Sequence, residues 1–182
     1  MSVGSYKYDT EITQITDNDT IDVPTIVKGR FVAGDVLLGY GVVRENWNAK
    51  LYAGLNVQNQ SLSPADPENP VQGTRAGLKL QGDIWVNPTQ QTMLFALASY
   101  STAFRTYYAT LKTGYDVFGV QTFIGPELIA QGNARYDQWR AGAHITGITL
   151  SKNVELGFSG GYLHSSDVGP GVYGKIDLSF EF

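Results

Sequence analysis

Cysteine is absent from this chain of 182 residues, which excludes a disulfide scaffold and any thiolate-held metal centre. Histidine is nearly absent, with only His144 and His164, so no local cluster with metal-ligand spacing exists and no metal or cofactor is expected. No run of 18 or more apolar residues occurs. A membrane-spanning helix is thereby excluded, though membrane strands are not, because half of their residues are polar. Charge is sparse at 16% with a net value of −4, which leaves no basic footprint for nucleic acid. The N-terminus shows no basic region followed by an apolar stretch, so no signal peptide is legible. Helical periodicity is missing throughout.

What the chain has in quantity is glycine, 21 residues, and aromatics at 12%, with 11 Tyr against 3 Trp. That mix suits a β-protein that turns often and sits partly at an interface. The pattern is plainest at the C-terminus, where Ile176, Leu178, Phe180 and Phe182 alternate with Lys175, Asp177, Ser179 and Glu181. In a strand, residues two apart share a face. One apolar face, one charged face and a final Phe is how bacterial outer-membrane β-barrels end, with the apolar face toward lipid and the polar face toward a lumen.

About ten alternating segments can be read, at 5–12, 30–43, 47–60, 74–86, 91–101, 106–115, 119–131, 136–150, 153–164 and 172–182. Most have the length that a tilted membrane strand requires. The cleanest sets Ala49, Leu51, Ala53, Leu55 and Val57 against Lys50, Tyr52, Asn56 and Gln58. Residues 13–25 read as a polar loop, 61–73 as a Pro-rich loop with Pro64, Pro67 and Pro70, and 87–90 as a turn. Short turns near Glu45, Pro88, Asp116 and Lys152 alternate with mostly longer connections at 13–29, 61–73, 131–136 and 164–172. Short and long connections mark the periplasmic and extracellular ends of such barrels.

The expectation is a single all-β domain over 1–182: an antiparallel transmembrane up-and-down β-barrel in a bacterial outer membrane, both termini periplasmic. Phe180 and Phe182 would be its assembly signal, presented to the barrel-assembly machinery on the last strand, and outer-membrane lipid would surround it. A soluble barrel or sandwich would alternate equally well but with its apolar face inward. Charges of both signs in mid-strand, and many small residues on the apolar faces, count against that alternative.

Several blocks resemble a known family. These are Leu62-Ser63-Pro64-Ala65-Asp66-Pro67-Glu68-Asn69-Pro70 with Gly73-Thr74-Arg75-Ala76-Gly77, then Tyr100-Ser101-Thr102-Ala103-Phe104, Ile124-Gly125-Pro126-Glu127 and Arg140-Ala141-Gly142-Ala143-His144-Ile145-Thr146-Gly147. In this order they are similar to the BcsS-type cellulose-biosynthesis proteins, over most of the chain from about Phe31 onward. The resemblance implies an outer-membrane barrel associated with bacterial cellulose or exopolysaccharide production, acting as scaffold, export partner or narrow conduit. It transfers no catalytic residue. It also implies about 12 strands, with additional sequence before a strand like Val3-Gly4-Ser5-Tyr6-Lys7-Tyr8. Either initial strands and a signal peptide lie outside this chain, or this member builds a smaller barrel.

Polar faces supply the candidate chemistry. A lumen of ten to twelve strands is too narrow for a wide porin channel, so inward charges of opposite sign should pair, an unpaired buried charge being costly. Lys50, Arg75, Lys79, Lys112 and Arg140 are expected to meet Asp35, Asp83, Glu127, Glu155 and Asp177, with His144 on the same face. The network reads as a salt-bridged plug or as a polar track for a small solute or glucan. Asp66, Glu68, Tyr100, Phe104 and Tyr108 are candidates for saccharide or partner contact, although aromatics near strand ends need no ligand. Because some outer-membrane barrels are hydrolases, an enzyme using His144, or His164 with Ser165 and Asp167, is the runner-up, beside a small-solute porin. A triad needs side chains that meet in space.

Overall fold

The computed structural model describes residues 2–16 and 19–180, with side chains over 2–11 and 23–179. Ten strands follow one another along these residues: β1 (Ser2–Thr16), β2 (Asp19–Val43), β3 (Trp47–Ser63), β4 (Gly73–Thr89), β5 (Thr92–Ser101), β6 (Tyr107–Asp116), β7 (Phe123–Gly132), β8 (Asp137–Ser151), β9 (Val154–Ser165) and β10 (Gly169–Phe180). Each pairs antiparallel with its sequence neighbours, giving one up-and-down sheet. A single 3₁₀ turn, Ala103–Arg105, interrupts the connection between β5 and β6.

Most strand limits lie within a few residues of the sequence pattern, and one stretch differs. Residues 13–25, expected as a loop, belong largely to β1 and β2, whose ladder runs from Ser2↔Ala33 to Thr16↔Asp19. Thr, Ile and Val fill this stretch, and their β-branched preference for a pleated surface outweighs the scattered Asp. β2 meets β3 only from Lys28↔Ser63 onward. The outer part of the β1–β2 hairpin therefore projects as a two-stranded ribbon beyond the rest of the sheet. The expected turn at 87–90 also shifts, since β4 continues to Thr89 across a bulge between Val86 and Thr89.

The sheet curls into a half-barrel. Among the described residues β10 pairs only with β9, and β1 only with β2, so no ladder joins the last strand to the first. The backbone of Phe180 ends β10, while the side chain of Phe180 and all of Phe182 lie outside the described residues.

Burial assigns the two faces. Val36, Leu38, Leu51, Leu55, Leu78, Leu80, Leu128, Ile176 and Leu178 are all exposed on the convex side. Asn56, Gln58, Gln60, Thr110, Lys112, Glu127 and His144 are buried on the concave side. This distribution is inverted relative to a soluble protein, whose apolar residues occupy the interior. Close strand approach on the concave side relies on aromatic rings lying over glycine: a Cβ on Gly39 would overlap the Tyr52 ring, and one on Gly29 would overlap Tyr6. Both are directly paired positions, where the ring covers the gap that glycine leaves.

Candidate functional site: the charged interior

Alternation in β6, β7 and β10 sends Lys112, Glu127, Lys175 and Asp177 to the concave side. Lys112 faces Glu127 in the β6–β7 ladder, whereas β10 lies three strands from β7. Curling brings them together. Lys175 Nζ donates to Glu127 Oε1 at 2.9 Å and lies 3.2 Å from Asp177 Oδ2. Lys112 Nζ lies 3.4 Å from the same Glu127 oxygen and 3.2 Å from the same Asp177 oxygen. Two cations thus alternate with two carboxylates, and Tyr173 adds its hydroxyl as a donor to Glu127 Oε2 at 3.4 Å. Glu127 is 0% exposed. With no solvent to stabilise its charge, its ammonium partners must do so.

His144 is buried beside this quartet. Its Nε2 is 3.1 Å from the carbonyl of Thr113, which can only accept, so Nε2 carries the proton. Nδ1 then accepts from the Thr146 hydroxyl at 2.9 Å. Both nitrogens are committed to structural bonds. His164 instead packs its ring against Trp139, 6.0 Å between centroids, and no described hydrogen bond joins it to Ser165 or Asp167.

The opposite wall carries a second pair. Lys79 Nζ donates to Asp35 Oδ2 at 2.8 Å, and Asn56 Nδ2 donates to Asp35 Oδ1 at 2.6 Å. Asn56 Oδ1 in turn accepts from Gln58 and from Ser101, which makes a polar ladder toward the loop end. Lys50 and Asp83 are register partners without an ion pair within 4 Å. Arg140 bonds Gln138 Oε1 and lies over the Tyr173 ring, 5.4 Å to its centroid. Arg75 covers the Phe104 ring at 5.0 Å. Glu155 is exposed and joins no described ion pair. Lys175 completes the quartet and is absent from the set expected on sequence grounds. Its place on the polar face of β10 was the available signal.

Two other layers fill the interior. At the short-turn end Trp85 packs against Phe95 and Phe123, with centroids 6.0 and 5.9 Å apart, and Met93 is buried among the inward residues there. At the loop end the β5–β6 connection bends inward and buries Ala103 and Phe104. The backbone carbonyl of Phe104 accepts from Ala134 N–H at 2.9 Å.

The Pro-rich loop is held down by a buried knot. Tyr8 donates its hydroxyl to Asp66 Oδ2 at 2.7 Å and accepts from Asn69 Nδ2 at 2.8 Å. Arg135 lies over the Tyr8 ring at 4.6 Å and reaches Asp167 at 3.7 Å. Burial and the hydrogen bond to Asp66 push the Tyr8 phenol up to about 12. At the other end Asp116 accepts from the backbone N–H groups of Phe118, Gly119, Val120 and Gln121. Burial raises its pKa, and these four donors together hold it below the ordinary carboxylate value.

The residues expected at a saccharide surface do not converge. Asp66 and Phe104 are buried, Glu68 is exposed on the loop, Tyr108 faces inward, and Tyr100 is on the convex side.

A family model described as "Cellulose biosynthesis protein BcsS" matches residues 1–182, the whole chain. No curated protein and no solved structure matches.

Proposed function

The chain belongs to the BcsS family of cellulose biosynthesis proteins, and on that premise we propose that it is a barrel-type protein of a bacterial outer membrane. In this reading it serves cellulose or exopolysaccharide secretion as a non-enzymatic scaffold or export partner, with both termini periplasmic. One observation carries the membrane reading: over the span level with Val32 to Val42 of β2, apolar residues face outward along the strands while the charged groups face in. The exposed row Val36, Leu38 and Tyr40 of β2, each above 75% exposed, would strand large apolar side chains in water but suits lipid.

Scaffold is preferred to conduit because the lumen is filled at three levels. Trp85, Met93, Phe95 and Phe123 occupy the short-turn end, the Lys112–Glu127–Lys175–Asp177 quartet the middle, and Phe104 the mouth. Enzymatic chemistry on the histidines finds little support, since both nitrogens of His144 are engaged.

Deleting the protein from a producing cell should lower cellulose output while leaving polymerisation in membrane preparations unchanged. Restoration of output by a variant carrying His144→Gln and Ser165→Ala is expected, and failure to restore it would favour the enzyme reading. Planar bilayers holding the purified protein should show no steady open current. A sustained conductance would replace the scaffold by a conduit.

A further inference from the structure

Two adjacent cross-strand rows at the loop end of β1–β3 gather cations and hydroxyls on the convex side. One row is Ser5↔Arg30↔Ser61 and the next is Lys7↔Lys28↔Ser63. All six residues are exposed, and alternation points them outward with Val32 and Val36. Lys7 and Lys28 are direct partners in an antiparallel ladder, where like charges repel. None of the three cations has a carboxylate within 4 Å among the described residues, and Asp9, one row farther out, is not in ion-pair contact with any of them. Apart from the Ser61 hydroxyl, which donates to Asn59 Oδ1 at 3.2 Å, the patch is a set of donors without an acceptor.

Its position supplies the acceptor. Along β2, every outward residue from Val32 to Val42 is Val, Leu, Tyr or Gly, a span matching the roughly 9–11 residues of a tilted membrane strand. Arg30 is the first outward residue past that span and Lys28 the second. In a membrane they sit where headgroup phosphates lie, and cations near an anionic leaflet are attracted to it.

We propose that Lys7, Lys28 and Arg30, flanked by Ser5, Ser61 and Ser63, form a binding site for the phosphate of a membrane-lipid headgroup in the loop-end leaflet. Ammonium and guanidinium groups on neighbouring strands embrace one phosphate from two sides, the guanidinium offering paired N–H donors. The Ser5 and Ser63 hydroxyls donate to its remaining oxygens. Bound lipid also relieves the Lys7–Lys28 repulsion, which ties the first hairpin to the membrane surface. This inference rests on the membrane reading above.

The test places the full chain in phosphatidylcholine nanodiscs containing 20% phosphatidic acid as the phosphate-bearing probe. Native mass spectrometry then counts the retained probe lipid. Changing Lys7, Lys28 and Arg30 together to Gln should lower retention roughly tenfold or more, each cation near the surface being worth about fivefold. The charge-preserving exchange Lys7→Arg, Lys28→Arg and Arg30→Lys should keep retention. Equal retention by wild type and the Gln variant, both inserted, would overturn the site. Loss of the difference in millimolar inorganic phosphate would reassign it to a free anion, against the lipid. If neither protein enters the nanodisc, the membrane reading itself fails and the site falls with it.

Discussion

Two walls of the same lumen use the same chemistry under different conditions. On the β6–β7–β10 side the quartet centres on Glu127, whose side chain is 0% exposed. On the β2–β4 side Lys79 and Asp35 keep side-chain exposures of 18% and 26%. Their shortest contacts are nearly equal, 2.9 and 2.8 Å, so distance does not distinguish them. Solvent does. A carboxylate in water loses little when its partner leaves, whereas a sealed one has no other source of stabilisation. The quartet also ties β10 to β7 and β6, three and four strands away, while Asp35 and Lys79 lie only two strands apart. The first therefore holds the curl and the second decorates it.

Four measurements would break or sharpen that contrast. The largest effect should come from removing a sealed partner: Lys175→Ala leaves Glu127 with only the longer contacts to Lys112 and the Tyr173 hydroxyl and is expected to cost about 3–5 kcal/mol, read by equilibrium unfolding in detergent. A cost below ~1 kcal/mol would mean that water reaches Glu127. Next is a charge on the other face. Leu51→Arg should cost roughly 2–4 kcal/mol in a bilayer and nearly nothing in aqueous solution. Equal stability in bilayers would show that the convex face does not meet lipid.

A smaller loss is expected at the buried knot of the loop end, where Tyr8→Phe leaves Asp66 and Asn69 without their shared partner, about 1–3 kcal/mol at neutral pH. This effect carries a pH signature. A phenol raised to about 12 in the folded protein contributes stability that is complete below its ordinary value near 10 and is lost as pH rises through about 12. The gap between wild type and Tyr8→Phe should therefore narrow between about pH 10 and 12. A constant gap across that window would mean that the phenol is not shielded. Last is Lys79→Met on the open wall, expected to cost under about 1 kcal/mol and to shrink further in high salt. If it matched Lys175→Ala, burial would not be the deciding variable.

How much of this was legible beforehand depends on range. Alternation is local, so β5, β6, β8 and β9 were readable to within one residue at each end, and the inward direction of Lys79, Lys112, Glu127 and His144 followed from the same alternation. The 13–25 stretch misled because its Asp residues look like loop chemistry, while its ladder depends on pairing that no short window contains. Partner choice was less accessible still. Lys50 and Asp83 are opposite one another yet form no ion pair, whereas Lys175 reaches Glu127 three strands away. Aromatic positions divided in the same manner: Tyr100 lies on the convex side, but Phe104 turned inward because the β5–β6 connection folds into the mouth.

Composition and period alone determined that this chain is all-β, that it turns about nine times, and that each strand has one apolar and one polar face. Those properties follow from side chains two residues apart pointing the same way, and they need no knowledge of neighbours. The tertiary structure decided the rest: how tightly the sheet curls, which cation meets which carboxylate, that Phe123 and Phe104 fill the ends of the lumen, and that Lys7 comes to lie beside Lys28. Curvature is a collective result of ten registers and of rings lying over glycines, so it brings together residues whose separation along the chain carries no trace of their contact.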